Sequence, residues 1–282
     1  MKVLVTGATG FLGNHVVSAL VRRGTPTVVT GRDVQKLRAA PWSDEVECVP
    51  MDMETLPDNL FAALGSPTHC IHLAWPGLPN YRSDCHLQES LPQSREVLFR
   101  LIDGGLKHLL VTGTCLEYGM QEGELAEEIE AKPSTPYAMA KDRLRQSLEQ
   151  RILGTGVCLQ WSRLFYMYGP GQNPNSLFAQ LQRAIADGQK EFPMSGGEQV
   201  RDYLPVEEVA EILAALAHHS SFTGIVNICS GKNVRLREMV QGYIDKTQAS
   251  IKLKLGVYPY PEWEPFRFWG STAKLARLGV TR

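Results

Sequence analysis

Lys2-Val3-Leu4-Val5-Thr6-Gly7-Ala8-Thr9-Gly10-Phe11-Leu12-Gly13 is the stretch that decides the fold. A short apolar run of strand length meets three glycines spaced Gly-x-x-Gly-x-x-Gly. Apolar residues at helical spacing then run to Arg23 and stop before Gly24. Strand, glycine turn and helix in that order place free backbone N–H groups, and the positive end of a helix dipole, at the carboxyl end of a strand. That is a cradle for a pyrophosphate. Gly7 permits the tight turn, Gly10 lets the backbone approach the phosphates, and Gly13 allows the helix to pack closely. Phe11 and Leu12 open the helix and belong to the same cofactor-binding turn.

Outward from this unit the pattern repeats. Further strands are expected at Thr27–Thr30, Val46–Pro50, Cys70–Leu73, Leu109–Thr112 and Val157–Trp161, with helices at Leu87–Asp103 and Pro136–Ile152. Ser134 or Thr135 would cap the second of these, with Pro136 in its first turn. Strands alternating with helices imply an α/β fold, a Rossmann-type doubly wound parallel sheet. After Arg163 the rhythm loosens. Helices are expected at about 176–187, Val206–His218 and Leu236–Lys246, and a strand at Ile225–Ile228. Residues 1–165 therefore read as a dinucleotide-binding domain, with strands near 200–230 returning to it. Residues 166–282 read as mainly a smaller C-terminal substrate-binding domain.

The end of the second strand selects the dinucleotide. An acidic residue there binds the ribose 2′-hydroxyl, and an arginine accommodates a 2′-phosphate. Here Arg32 comes first, after Gly31, with Asp33 adjacent. The order favours NADP, with NAD as the other reading. Asp52 lies where an adenine amino group could be met, or else it caps a loop; Met53 beside it is counted with the cofactor residues.

Tyr137 and Lys141 stand four apart on the expected helix and so share a face. A nearby ammonium favours phenolate and lowers a tyrosine pKa from about 10, so the pair can move a proton near neutral pH. Thr114, at the carboxyl end of the fifth strand, could hold a carbonyl oxygen beside it. Cys115 and Glu117 follow closely, and are read as a buried thiol and a surface carboxylate.

With 282 residues, 43% of them hydrophobic, and a net charge of -1, the chain has no basic run fit for nucleic acid or a membrane surface. It shows no signal peptide and no apolar stretch of bilayer length. The six cysteines (48, 70, 85, 115, 158, 229) form no CxxC and read as reduced thiols of a cytoplasmic protein. Seven histidines show no metal-ligand spacing, so no metal is expected.

These motifs, together with His72-Leu73-Ala74, the run Arg163 to Gly171, Arg201-Asp202-Tyr203 and Asn227 to Gly231, resemble the extended short-chain dehydrogenase/reductases of the NAD-dependent epimerase/dehydratase group, which act on nucleotide-sugars. The resemblance covers nearly the whole chain. It implies that Thr114, Tyr137 and Lys141 are the catalytic trio, with Lys141 also on the nicotinamide ribose. It implies that Leu73 and Ala74 line the cofactor and that Arg201 meets the nucleotide. It also implies a homodimer formed through the helices expected at Leu87–Asp103 and Pro136–Ile152.

Departures from the family pattern narrow the chemistry. Dehydratases carry Asp-Glu after the catalytic threonine, where this chain has Cys115 and Leu116; reductive epimerases carry a cysteine at the second of these positions. Tyr166 replaces a substrate-contacting asparagine and Trp75 replaces an alanine. With Cys115, Tyr203 and Arg267, these residues are expected to shape the substrate pocket. Hydride and proton transfer remain, without further acid/base groups. The simplest reading is an NADP(H)-dependent reductase of a nucleotide-linked 4-keto-6-deoxy sugar. The alternatives are a 4-epimerase with tightly held NAD and, more remotely, a non-catalytic NADP-binding regulator.

Overall fold

A computed structural model describes residues 1–280. Its centre is a seven-stranded sheet in the order Gly224–Ile228, Cys158–Leu164, His108–Thr114, His69–His72, Val3–Thr6, Thr27–Gly31, Glu47–Pro50. Every neighbouring pair is parallel. Parallel strands need crossovers, and these bury both faces of the sheet. Helices Phe11–Arg22 and Val206–Ala217 cover one face through Val16, Val17, Leu20, Val209 and Leu213. Helices Leu91–Gly104 and Pro136–Arg151 cover the other through Val97, Leu101, Leu144 and Leu148. The fold is thus the doubly wound α/β sheet expected.

The chain leaves the first strand in one direction and returns on its other side with His69–His72. The switch point therefore lies between these two strands, where open α/β sheets bind ligands. Gly7 and Ala74 meet there: Gly7 has φ +71°, and a Cβ on it would stand 2.7 Å from the Ala74 nitrogen. A Cβ on Gly13 would overlap the Gly7 carbonyl oxygen and approach that of Ala8 to 2.7 Å. Both glycines are fixed by backbone proximity.

Several boundaries differ from expectation. The fifth strand runs on to Thr114 and the sixth to Leu164, because the two pair over their whole length. A wide helical turn, His86–Ser90, precedes the helix that begins at Leu91. Thr135, not Ser134, caps the helix at Pro136, its Oγ accepting the Ala138 N–H at 3.3 Å. Of the later strands among the described residues, only Gly224–Ile228 joins the sheet; Val200–Arg201 and Tyr203–Pro205 form separate two-stranded ladders. A further apolar cluster, including Phe178, Leu181, Phe192, Val240 and Ile251, gathers the segments after residue 176. Among the described residues no helix is long and apolar enough to cross a membrane.

Two histidine features make stability depend on pH. His69 and His108, paired across neighbouring strands, stack with ring centroids 4.2 Å apart. Burial and the neighbouring His108 push His69 down to about 4. Burial, with a smaller push from Lys141, brings His72 down to about 3. Both bind fewer protons folded than unfolded, so stability rises with pH across this interval. We expect thermal midpoints to be level above pH 6.5 or so, the ordinary histidine value, and to fall as pH drops toward 4. Melting curves from pH 8 to 4 test this, and His69→Gln should flatten part of the slope. A flat profile for the unaltered chain would contradict it.

Candidate active site

The carboxyl ends of the central strands open into one cleft of about 700 Å³. At one end lies the glycine turn. Helix Phe11–Arg22 starts at Gly10 with no side-chain cap and no acidic residue in its first turn, so its first main-chain N–H groups are left for an anion. Gly10, Phe11, Leu12 and Gly13 line the cleft there, with Leu73 and Ala74 opposite. Backbone that no side chain could share, around a helix start without a competing carboxylate, fits a dinucleotide pyrophosphate.

Beyond the glycine turn, at the end of the second strand, Arg32 is exposed and lines the cleft with Met51 and Met53. Asp33 caps the short helix Val34–Arg38, Oδ1 accepting the N–H groups of Gln35 and Lys36 at 2.9 and 3.1 Å. Its Oδ1 is therefore engaged in capping this helix. Asp52 takes the loop-capping alternative, accepting the Glu54 N–H at 3.0 Å, and is absent from the cleft wall.

At the other end the wall brings Thr114, Tyr137 and Lys141 together with Trp75, Cys115 and Tyr166. Lys141 is 2% exposed; its Nζ donates to the Thr112 carbonyl at 2.8 Å and lies 3.9 Å from the centre of the Trp75 ring. Burial brings it down to about 7, against an upward push from Glu117. The expected depression of Tyr137 is not what the structure shows. Burial pushes the phenol well above its ordinary value, with smaller upward pushes from Tyr81, Glu117 and Cys115, against one hydrogen bond from Thr114. The ammonium faces Thr112 and Trp75, 6.0 Å from the phenol ring centre, so desolvation wins. Tyr137 stands in the cleft as a neutral proton donor. Cys115 is likewise held as a thiol, mainly by burial.

Glu117 requires a correction. Sequence reading placed it on the surface, yet it is completely buried in an ion pair with Arg163 at 2.8 Å. The Thr-x-x-Glu spacing of a capping box was the available signal, and that box is formed here. Other neighbours carried no sequence signal. His86 Nδ1 accepts from Trp75 Nε1 at 3.1 Å and its Nε2 donates to Asn80 O at 2.8 Å, which fixes the indole. Tyr81 packs on Tyr137 at 5.4 Å.

The residues expected to shape the substrate pocket divide. Arg201 is buried, paired with the cleft-lining Glu264 at 2.8 Å and donating to the carbonyls of Val200 and Phe266. Tyr166 lines the cleft, and Tyr203 packs against it at a tilt, ring centroids 5.2 Å apart, while lining a second hollow with Tyr168 and Lys232. Arg267 is exposed and does not form part of the cleft wall. Asp202, between Arg201 and Tyr203, accepts the N–H groups of Ser230, Gly231 and Gly270 and ties three segments together.

Residues 3–229 match the model of the NAD dependent epimerase/dehydratase family. The chain belongs to that family. Among its relatives, dTDP-6-deoxy-L-talose 4-dehydrogenase (NAD(+)) of Aggregatibacter actinomycetemcomitans is 28% identical over 96% of this chain and 100% of its own. GDP-6-deoxy-D-mannose reductase of Pseudomonas aeruginosa is 24% identical, covering 97% of this chain and 89% of its own. UDP-N-acetylglucosamine 4-epimerase of Methanobrevibacter ruminantium, solved with UDP-N-acetylmuramic acid, superposes with a TM-score of 0.87 at 21% identity, over 99% of this chain and 92% of that one. Like other members of the epimerase/dehydratase family, this protein is an NAD(P)-dependent oxidoreductase or epimerase.

Proposed function

We propose that this protein is a cytoplasmic reductase that converts the 4-keto group of a nucleotide-linked 6-deoxy sugar to an alcohol, with NADP(H). The observation that carries the reading is a neutral, buried Tyr137 beside Thr114 and Lys141, in a cleft whose dehydratase positions hold Cys115 and Leu116. Two relatives named for 6-deoxy-sugar dehydrogenase or reductase chemistry, matched over nearly their whole length, support it. When bound, the nicotinamide supplies the hydride. Tyr137 Oη gives its proton to the ketone oxygen. Thr114 Oγ steadies that oxygen as charge develops. Lys141 would hold the cofactor ribose. Trp75 narrows the wall. Purified protein should consume NADPH with a dTDP- or GDP-linked 4-keto-6-deoxy sugar. Retention of stoichiometric NAD through purification, without such turnover, would replace this reading by a 4-epimerase. The family resemblance also supports a homodimer through the Leu91–Gly104 and Pro136–Arg151 helices, testable by light scattering.

The proposal for NADP rests on Arg32 lining the cleft while Asp33 is engaged as a cap. A guanidinium fork matches a 2′-phosphate and gains nothing from a 2′-hydroxyl. Arg32→Ala should lower kcat/KM for NADPH by roughly 30-fold, in the range of a lost charge-assisted contact, and leave that for NADH within about two-fold. Equal losses with both cofactors would remove Arg32 from cofactor choice.

A further inference from the structure

We propose that Glu117 is a positioning residue of this active site: its carboxylate, anchored by Trp161 and Arg163, holds the Thr114 main chain so that the Thr114 hydroxyl stays aimed at Tyr137. The inference rests on the role proposed above for Thr114.

Three N–H donors converge on this one side chain. Glu117 Oε1 accepts the Thr114 main-chain N–H at 2.8 Å and the Trp161 indole N–H at 3.1 Å; Oε2 accepts Arg163 Nε at 2.8 Å. Only an acceptor-only group satisfies them, since an amide would turn its own N–H groups toward at least one donor. Both partners of the ion pair are inaccessible, 1% and 0% exposed. A pair so deeply buried contributes little net stability over apolar side chains of the same size. Its geometry points to placement.

The placement is tight. Glu117 and Trp161 press against Gly113, the residue before Thr114, where a Cβ would overlap the indole nitrogen and the carboxylate. Register explains the contact: Gly113 lies opposite Arg163, and Val111 opposite Trp161, on the adjacent strand. Thr114 Oγ accepts the Leu116 N–H at 3.2 Å, which occupies a lone pair and leaves its proton for an acceptor in the cleft. Two contacts thus fix Thr114, one on its main chain and one on its hydroxyl, both made within the Thr114–Tyr118 turn. The Arg163 guanidinium lies 4.4 Å above the Tyr118 ring, whose hydroxyl donates to Asn227, so the anchor reaches the outermost strand. The carboxylate also acts at a distance. Burial is the larger influence on Tyr137 and Lys141, and Glu117 pushes both upward.

The test compares Glu117→Gln, Thr114→Val and the double variant in NADPH-linked ketone reduction. Glu117→Gln should lower kcat at least roughly ten-fold, as expected for a displaced catalytic group, with KM for the sugar and Kd for NADPH within about two-fold. The alkaline limb of its pH profile should move to lower pH, because an anion that opposes phenolate has gone. In the Thr114→Val background the same change should cost less than about two-fold, because coupled residues are not additive. A lower Tm with unchanged kcat and pH profile would reduce Glu117 to a structural part and overturn the proposal. Losses that multiply in the double variant would overturn it too. Should Glu117→Gln fail to fold, Trp161→Phe removes a single donor and should lower kcat about three-fold; full kcat there counts against it. A Thr114→Val protein with full kcat would instead sink the reading of Thr114 itself, and this inference with it.

Discussion

Tyr137→Phe should cost about 1,000-fold in kcat for ketone reduction, within the range for loss of a positioned general acid, while NADPH binds as before. The phenol is 7% exposed and is held neutral chiefly by burial. Removing its oxygen takes away the proton donor and leaves the ring packed between Trp75, Tyr81 and His86. The upward shift fixes the sign of the pH dependence. Reduction needs the protonated phenol, so titration of Tyr137 itself should lower the rate only in strong alkali. The reverse oxidation needs phenolate and should climb with pH. Stopped-flow turnover in both directions, with fluorescence titration of NADPH, reads all of this. A Tyr137→Phe protein within about five-fold of normal kcat would remove Tyr137 from the chemistry.

Gly13→Ala should weaken NADPH binding roughly 100-fold, about 2.8 kcal/mol. The added Cβ would overlap the Gly7 carbonyl and crowd that of Ala8, and both are backbone. No rotamer relieves the contact. Either the helix shifts off the first strand or the turn opens, and both spoil the anion cradle. An overpacked site of this kind also costs about 1–3 kcal/mol in stability, so Tm should fall as well. Calorimetric titration with NADPH and a melting curve check the pair of effects. Unchanged affinity would mean that the pyrophosphate lies elsewhere.

The parts of this site visible in the sequence are those set by local spacing. Three glycines between a strand and a helix mark the turn, and a tyrosine four residues before a lysine puts both side chains on one helix face, but that spacing does not set the acidity of the phenol. The parts that stayed hidden depend on partners distant in sequence. Glu117 reads as a surface charge until Trp161 and Arg163 arrive from the neighbouring strand. Glu264 carries no signal until it meets Arg201. The fall of Lys141 to about 7 is caused mainly by burial, which spacing cannot report. Asp33 beside Arg32 left the cofactor reading divided, and its capping of the next turn weighs on one side. The two-stranded ladders that flank the cleft, some only two residues long, are too brief to imprint any periodicity.

The order of the sheet bears on how the protein is made. Cys158–Leu164 is translated long before its outer neighbour Gly224–Ile228. Until that neighbour emerges from the ribosome, a nascent chain carries the inner strand with one hydrogen-bonding edge bare, and bare edges recruit other chains. Asn227 then does more than close the edge. Its side chain donates to the Leu125 carbonyl and accepts the Tyr118 hydroxyl, while its main-chain N–H donates to Glu127. The Thr114–Tyr118 turn is therefore locked late in synthesis, and a cut after residue 165 would release an open-edged fragment prone to self-association.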